Sequence, residues 1–277
     1  MNTTVKRTIF GALFLAVMLG GLLFHPIPYT ILFAFISAVM LDEFFRMTMG
    51  KTYRGMQLAT VFMGMVLFFA FNCYFRDQAT LTQLVAACIF VFLCPMIASI
   101  FEKDHTDFLK TGYLYAGLVY VGLPLALSNA VVFRGGEYSG LLMVAFFCII
   151  WASDVGAYCF GMLLGQKLWP AKMCPKISPK KSWAGYIGGL VMAMLAGAIL
   201  HWTGLFPFSM LHSLIVAAIM HVMGVFGDLF ESLWKRSTGV KDSGNLIPGH
   251  GGLMDRFDSS LFAFPVAFIY LVLFGLI

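Results

Sequence analysis

The chain is a succession of apolar runs, and this pattern constrains its fold more than any other feature. A transmembrane helix needs about 20 mostly apolar residues, or fewer where the helix is irregular. Nine runs meet or approach this length, at about 8–24, 27–41, 57–75, 81–100, 112–133, 139–164, 184–203, 208–229 and 259–277. Only 11% of the residues are charged, whereas a soluble domain carries roughly 25%. The sequence therefore predicts an all-α, polytopic integral membrane protein, and it excludes a soluble nucleic-acid-binding protein.

The positions of lysine and arginine predict the orientation of these spans, because cytoplasmic loops carry an excess of positive charge. If the N-terminus is cytoplasmic, only Arg76 and Arg134 of the 18 basic residues fall in outer segments. A missed or additional span would destroy this partition. We therefore expect nine spans, a cytoplasmic N-terminus and an external C-terminus. For the basic residues before position 160, retention of loops at the inner face is a sufficient explanation.

The two halves of the sequence differ in their polar content. Residues 1–134 hold about five spans, and their mixed-charge stretches at 41–46 and 101–105 are interpreted as interfacial anchors at helix ends. Residues 135–277 hold the remaining spans and two polar segments, 166–183 and 230–258, which the orientation places in the cytoplasm. We expect the functional site in this second region.

Four aspartates reach one side of the membrane in the predicted topology. Asp154 lies toward the cytoplasmic end of the sixth run, Asp228 ends the eighth, and Asp255 and Asp258 open the ninth on one helix face. Ionisable residues within membrane segments mark functional sites by default. Four carboxylates at one depth repel one another, so lysines, arginines, a divalent ion or both must neutralise them. A metal site built from carboxylate oxygens, with no cysteine or histidine ligands, favours magnesium or manganese over zinc.

Two segments supply groups that suit phosphate. The loop 166–183 contains five lysines and two serines, and Pro170, Pro175 and Pro179 make a regular helix there improbable. These lysines are equally consistent with phosphate binding and with positive-inside charge or attraction to acidic lipid heads. In the second segment, glycines follow His250, and Gly251 and Gly252 would let backbone amides approach an anion.

A longer set of fixed polar positions extends through these segments. It comprises Ser232, Lys235, Arg236, Lys241, Asp242, Gly244, Pro248, His250, Gly251, Gly252, Asp255, Arg256 and Asp258, with Gly227, Asp228 and Glu231 just upstream. Two earlier motifs are Asp154, Ala157, Tyr158 and Gly161, and Ser178, Pro179, Lys180, Lys181, Ser182, Trp183 and Gly185. On these residues, residues 150–277 resemble the CDP-diacylglycerol synthases (phosphatidate cytidylyltransferases), most closely the bacterial enzymes. Trp234, Ser182 and Ala184 depart from the usual family residues.

The resemblance implies an enzyme that joins CTP and phosphatidic acid to give CDP-diacylglycerol and diphosphate with Mg²⁺, the identity of any second cation being open. It makes residues 135–277 the catalytic region, at the cytoplasmic face of a bacterial inner membrane, in a protein expected to be a homodimer. The implied metal ligands are Asp228 and Asp255, with Asp154 and Asp258 as direct or outer ligands. The implied catalytic and phosphate-binding residues are Asp228, Asp255, Lys235, Arg236, His250, Ser178, Lys180, Lys181, Ser182, Ser232, Lys241 and Arg256.

Alternatives remain open at this point. A membrane transporter with a cytoplasm-facing acidic site also uses intramembrane acids and glycine-broken helices, although transporter sites lie near the midplane. Glu231 and Asp242 are explained equally well by a direct role and by ion pairs with neighbouring lysine or arginine.

Overall fold

The computed structural model describes residues 3–102, 108–165, 169–247 and 251–277. The helices are α1 (Thr3–Leu23), α2 (Pro26–Met49), α3 (Arg54–Phe75), α4 (Leu81–Ile100), α5 (Leu109–Gly117), a π-helical turn (Leu118–Gly122), α6 (Leu123–Val132), α7 (Leu141–Leu163), α8 (Trp183–Trp202), α9 (Met210–Ser237) and α10 (Met254–Leu273). The strands are β1 (Phe133–Arg134), β2 (Glu137–Tyr138), β3 (Lys172–Cys174) and β4 (Ser178–Ser182).

The helices confirm a polytopic membrane protein. In the described part of the chain, eight helical segments are long and apolar enough to cross a membrane, with α5, the π-helical turn and α6 forming one of them. The apolar part of α1, Thr8–Leu23, is shorter. Each predicted apolar run therefore coincides with a helical segment.

Helices α2 and α9 continue beyond the ends that hydropathy predicted, because charged side chains do not stop a helix. Residues 41–46 lie at the C-terminal end of α2 as expected, with Arg46 in the last turn, and the helix continues to Met49. It ends where Gly50 adopts φ +62°, a left-handed backbone conformation that glycine takes without steric cost.

Two short antiparallel hairpins connect helices, so "all-α" describes the spans and not every connection. β1 pairs with β2, with Phe133 opposite Tyr138. β3 pairs with β4, with Lys172 opposite Ser182 and an irregularity between the strands' ends. The second hairpin lies in the proline-containing loop, where the sequence predicted that no regular helix would form.

The chain divides into two compact units, one of residues 1–140 with 242–256 and one of residues 141–241 with 257–277. In the first unit, α3 packs against α2, α4 and α6. The Tyr29 hydroxyl lies 2.7 Å from Ser128 Oγ, and Asn72 donates to Asn129 Oδ1 over 2.8 Å. Such polar pairs join membrane helices that gain little from hydrophobic burial against one another. The predicted functional division at residues 134/135 stays a prediction.

The second unit is built on close contacts of α8 with α7 and α9. A Cβ placed on Gly156 of α7 would lie 2.8 Å from the Gly188 carbonyl oxygen, and one on Gly197 of α8 would lie 2.8 Å from Ala217 Cβ. Small residues let helix backbones approach closely in membranes. Gly156 and Gly197 therefore allow α8 to pack closely against α7 and α9.

Candidate active site

A cavity of about 350 Å³, with charged side chains in a largely apolar wall, opens within the second unit. Helices α7, α8, α9 and α10 and the β3–β4 hairpin all contribute to its wall. Residues that line it include Asp154, Tyr158, Lys180, Lys181, Ser182, Tyr186, Asp228 and Ser259. The structure thus brings together carboxylates and lysines that the sequence singled out in three separate motifs.

Asp228 on α9 is held by two side chains. Lys181 Nζ lies 2.7 Å from Asp228 Oδ2, and the Ser232 hydroxyl donates to Asp228 Oδ1 over 3.3 Å. Lys181 also donates to the Val225 carbonyl oxygen over 3.3 Å. The positive group that the sequence argument required beside these carboxylates is therefore a lysine of the β3–β4 hairpin.

Asp258 on α10 is half-buried next to α9. Its Oδ1 accepts a hydrogen bond of 2.7 Å from the Ser259 amide. Asp228, Asp154 and Lys235 are charged groups that act on it electrostatically. Gly227 makes this proximity possible, because a Cβ there would lie 2.5 Å from the Asp258 carbonyl oxygen. Three of the four predicted acids thus share one neighbourhood within the second unit.

The donor chemistry of this neighbourhood fits a magnesium ion. Carboxylate oxygens are the ligands that Mg²⁺ prefers, usually one or two of them together with substrate phosphates. Asp154 and Asp228 both line the cavity, where a phosphate could complete such a site. Among the described residues, no group of three or more His, Cys, Asp or Glu side chains is arranged to hold a metal ion.

The predicted cations on the C-terminal part of α9 occupy different environments. Lys235 Nζ lies 3.2 Å from Glu231 Oε1, and the two side chains are 12% and 0% exposed. This contact matches the ion-pair interpretation of Glu231. Arg236 is exposed and donates to the Val240 carbonyl oxygen over 3.4 Å. Lys241 and Asp242 are exposed, and no ion pair of Asp242 is found among the described side chains.

The hairpin residues divide into a capping group and exposed groups. Ser182 is buried and its Oγ accepts from the Gly185 amide over 3.1 Å, which caps α8. Lys180 is exposed and lines the cavity. Ser178 pairs with Cys174 across the hairpin. Ser182 therefore has a structural role whether or not it also binds substrate.

Asp255 belongs to the first unit, where it fastens the loop that precedes α10. Its Oδ2 accepts from the amides of Ser243 over 3.0 Å and Gly252 over 2.8 Å. Gly251 has φ +83°, and a Cβ there would lie 2.5 Å from Asp255 Oδ2. The Gly252 amide thus binds the Asp255 carboxylate, and the expectation that amides of Gly251 and Gly252 approach an anionic ligand stays a prediction. Arg256 is exposed, and the predicted residues Pro248 and His250 lie outside the described residues.

Sequence reasoning missed Glu43 of α2. It is only 7% exposed and accepts hydrogen bonds from Ser243, Leu253 and Met254, so its interpretation as an interfacial anchor is wrong. Its helical spacing could have indicated burial, because Glu43 follows Met40 by three residues and Ile36 by seven and so shares their helix face. Both are buried. Asp42, in contrast, pairs with Arg46 and Arg54 at the helix surface.

A second buried polar contact supports the cavity wall. His221 Nδ1 of α9 lies 2.7 Å from Ser153 Oγ of α7, and its ring packs 4.8 Å from that of Tyr186. His221 is buried in the core. Ser153 directly precedes Asp154, so this contact fixes α7 where it enters the site.

Comparison with known proteins shows that the similarity extends over almost the whole chain. A sequence model of the cytidylyltransferase family matches residues 5–274. The chain belongs to the cytidylyltransferase family. It is 32% identical over 274 residues to the phosphatidate cytidylyltransferase of Bacillus subtilis strain 168, covering 98% of each chain. It is also 32% identical over 273 residues to that of Staphylococcus epidermidis strain ATCC 35984.

A third relative gives a shorter alignment. The phosphatidate cytidylyltransferase of Rickettsia bellii is 33% identical over 179 residues, which cover 62% of this chain and 74% of that one. The cytidylyltransferase family is a family of enzymes, so these similarities favour the enzyme interpretation over the transporter alternative. They also extend the resemblance from residues 150–277 to the N-terminal half.

Proposed function

We propose that the protein is a phosphatidate cytidylyltransferase, which converts CTP and phosphatidic acid to CDP-diacylglycerol and diphosphate in phospholipid synthesis. The observation that carries this proposal is the cavity whose wall contains Asp154, Asp228, Lys180 and Lys181. Full-length relatives that bear this name support the choice of substrates.

The proposed reaction needs charge neutralisation more than base catalysis. A phosphate oxygen of phosphatidic acid attacks the α-phosphorus of CTP and forms the new phosphoanhydride bond. The bond between the α- and β-phosphates breaks, and diphosphate leaves with its electron pair. The attacking oxygen is already ionised at neutral pH, so no activated side-chain nucleophile is required. The barrier comes from bringing two polyanions together, which positioned cations lower.

The lysines of the hairpin are suited to this task. Lys180 is exposed toward the cavity, and Lys181 pairs with Asp228. A bound triphosphate offers Lys181 a more highly charged partner than one carboxylate, so we assign Lys180 and Lys181 to the phosphates of CTP. Arg236, Lys241 and Arg256 are exposed, and Lys235 adds a further cation. Their roles in holding triphosphate and lipid phosphate remain predictions, as do those of Ser178, Ser232 and His250.

We assign a magnesium ion to the carboxylates of the second unit, with Asp228 and Asp154 as ligands that reach the cavity and Asp258 beside them. When bound, Mg²⁺ would neutralise phosphate charge and hold the reacting groups in line. Asp255 remains a ligand predicted from the resemblance. Its carboxylate is already oriented by two backbone amides, as ligating carboxylates usually are.

The bacterial relatives and the apolar helices support the inner membrane as the location of this multi-pass protein. The distribution of 18 basic residues supports a cytoplasmic N-terminus, an external C-terminus and a site at the cytoplasmic face. A cytoplasmic site also suits the substrates, because CTP is water-soluble and phosphatidic acid lies in the membrane. The resemblance supports a homodimer.

The test is release of diphosphate by purified protein in detergent micelles containing phosphatidic acid, with CTP and magnesium added or omitted. We expect release that requires the lipid, CTP and the metal together. Asp228→Asn should abolish it, because the carboxamide cannot supply the negative charge that attracts Lys181 and a metal. Glu137→Gln is the matched control, since Glu137 is an exposed acid on the β1–β2 hairpin, and it should retain full activity.

Two results would contradict the proposal. Diphosphate release that does not depend on phosphatidic acid would indicate simple CTP hydrolysis. Well-folded protein that binds CTP or lipid but releases no diphosphate would indicate a binding or transport site, and flux measurements would follow.

A further inference from the structure

Glu43 is a carboxylate buried in an apolar helix, far in sequence from the predicted catalytic region. Burying a carboxylate is costly unless hydrogen bonds or opposite charges compensate. Glu43 accepts three hydrogen bonds, from Ser243 Oγ over 3.1 Å, the Leu253 amide over 2.9 Å and the Met254 amide over 2.9 Å. All three donors lie in one loop of the first unit, so this helix α2 side chain is a fixed attachment point for that loop.

The loop attaches at the N-terminus of α10. The first amides of a helix have no partner within the helix, and a negative charge there is favourable. Glu43 supplies both an acceptor and a charge for Leu253 and Met254. Asp255 binds the same loop by accepting hydrogen bonds from the amides of Ser243 and Gly252. Ser243 thus donates to both acids, through its hydroxyl to Glu43 and through its amide to Asp255.

Two glycines of the loop are shaped around the Glu43 carboxylate. A Cβ on Gly244 would lie 2.6 Å from Glu43 Oε1, and one on Gly252 would lie 2.5 Å from Glu43 Oε2. Both distances are shorter than real Cβ contacts, which seldom fall below 3.0 Å. The three atoms nearest to a Cβ on Gly244 all belong to Glu43, whereas a Cβ on Gly252 would meet Ser243 Oγ before the Glu43 carboxylate. Glycine at these positions therefore leaves room for the carboxylate and for the Ser243 hydroxyl that it binds.

We propose that Glu43 is a positioning residue, which fixes residues 242–247 and 251–254 and thereby the direction of the Asp255 carboxylate. Without Glu43, the Leu253 and Met254 amides lose their acceptor and the loop loses its attachment to α2. Asp255 would then sample other orientations. The effect on catalysis rests on the proposed function, whereas the effect on the loop does not.

The first test replaces Glu43 by glutamine, which keeps the size and removes the charge. The carboxamide nitrogen faces hydrogen-bond donors, so at least one contact is lost. We expect faster amide hydrogen exchange in the loop, measured without substrates. We also expect kcat to fall about 10–100-fold, the usual effect of removing a partner that orients a functional carboxylate, with KM for CTP changed less than about threefold. Asp42→Asn is the matched control on the same helix, since Asp42 pairs with Arg46 and Arg54, and both measurements should stay at wild-type values.

The second test is a double-mutant cycle that does not depend on one variant folding well. Gly244→Ala should disturb the loop, because the three atoms nearest to its new Cβ all belong to Glu43. In a Glu43→Ala background the same change should cost little, since the obstructing carboxylate is absent. Strong non-additivity in hydrogen exchange of the loop is the expected result.

The outcomes separate this inference from the proposed function. If the wild-type protein has no cytidylyltransferase activity, hydrogen exchange alone decides, and faster exchange in Glu43→Gln still supports the positioning role. Unchanged exchange in Glu43→Gln, or additive effects of Gly244→Ala and Glu43→Ala, would overturn it. In an active enzyme, a loss confined to KM for CTP would also overturn it, because that would place Glu43 in substrate binding.

Discussion

Replacing Gly227 by alanine should separate α9 from α10 beside the cavity. The two helices touch there, and a Cβ on Gly227 would lie 2.5 Å from the Asp258 carbonyl oxygen and 3.3 Å from Phe262 Cβ. The nearest obstacle is backbone, which cannot rotate away as a flexible side chain can. The helices must therefore move, and Asp228 and Asp258 move with them.

The size of the movement follows from the contact distances. Ordinary van der Waals contact begins at 3.4 Å, so the 2.5 Å separation falls short by about 0.9 Å. A displacement of about 1 Å at reacting groups costs on the order of 10²-fold in rate. We expect kcat to fall by about this factor. Overpacking of this kind also costs about 1–3 kcal/mol of stability.

Gly224→Ala is the matched control, one helical turn earlier on the same face of α9. A Cβ there would lie 3.5 Å from Ser259 Cβ, which is an ordinary contact. This variant should keep wild-type turnover and gain up to about 1 kcal/mol from alanine's better helix propensity. The assay is steady-state release of diphosphate, with melting temperature in detergent measured beside it. Equal turnover in the two variants, whether high or low, would refute the reasoning.

Three further predictions concern the second unit. Lys181→Gln should lower kcat/KM for CTP about 10–100-fold in steady-state kinetics, because a charge-assisted hydrogen bond worth about 1.5–3 kcal/mol is lost. Glu231→Gln should lower stability by about 3 kcal/mol in detergent melting experiments, because it removes the buried carboxylate charge that pairs with Lys235; a melting temperature equal to that of the wild type would contradict this. Ser182→Ala should cost about 1 kcal/mol by loss of the α8 cap, and a melting temperature equal to that of the wild type would argue against a capping role.

The spans could be predicted from sequence because the apolar runs are long and separated by charged or proline-containing segments. Helix ends could not. Hydropathy placed the end of α2 near residue 41, yet the helix continues to Met49, since hydropathy measures fit to a bilayer and helices continue into polar surroundings. The hairpin 172–182 was harder to predict from the sequence, because its prolines exclude a helix but do not specify which residues pair as strands.

The candidate site was partly predictable for a related reason. Acids and lysines stand out against an apolar sequence, so Asp154, Asp228 and Lys181 were found, and the structure places them around one cavity. Glu43 was not found, because its partners are a hydroxyl and two backbone amides more than 190 residues away. Backbone donors leave no mark in a sequence. Only the spacing of Glu43 from buried Met40 and Ile36 indicated that it faces the protein interior.

The central claim is that one protein carries out nucleotidyl transfer from CTP to phosphatidic acid. The most direct measurement is mass spectrometry of the lipid product after incubation of purified protein with CTP, phosphatidic acid and magnesium in mixed micelles. We expect CDP-diacylglycerol in an amount equal to the diphosphate released, and neither product with Asp228→Asn. Diphosphate accompanied by CMP, with no nucleotide on the lipid, would contradict the account.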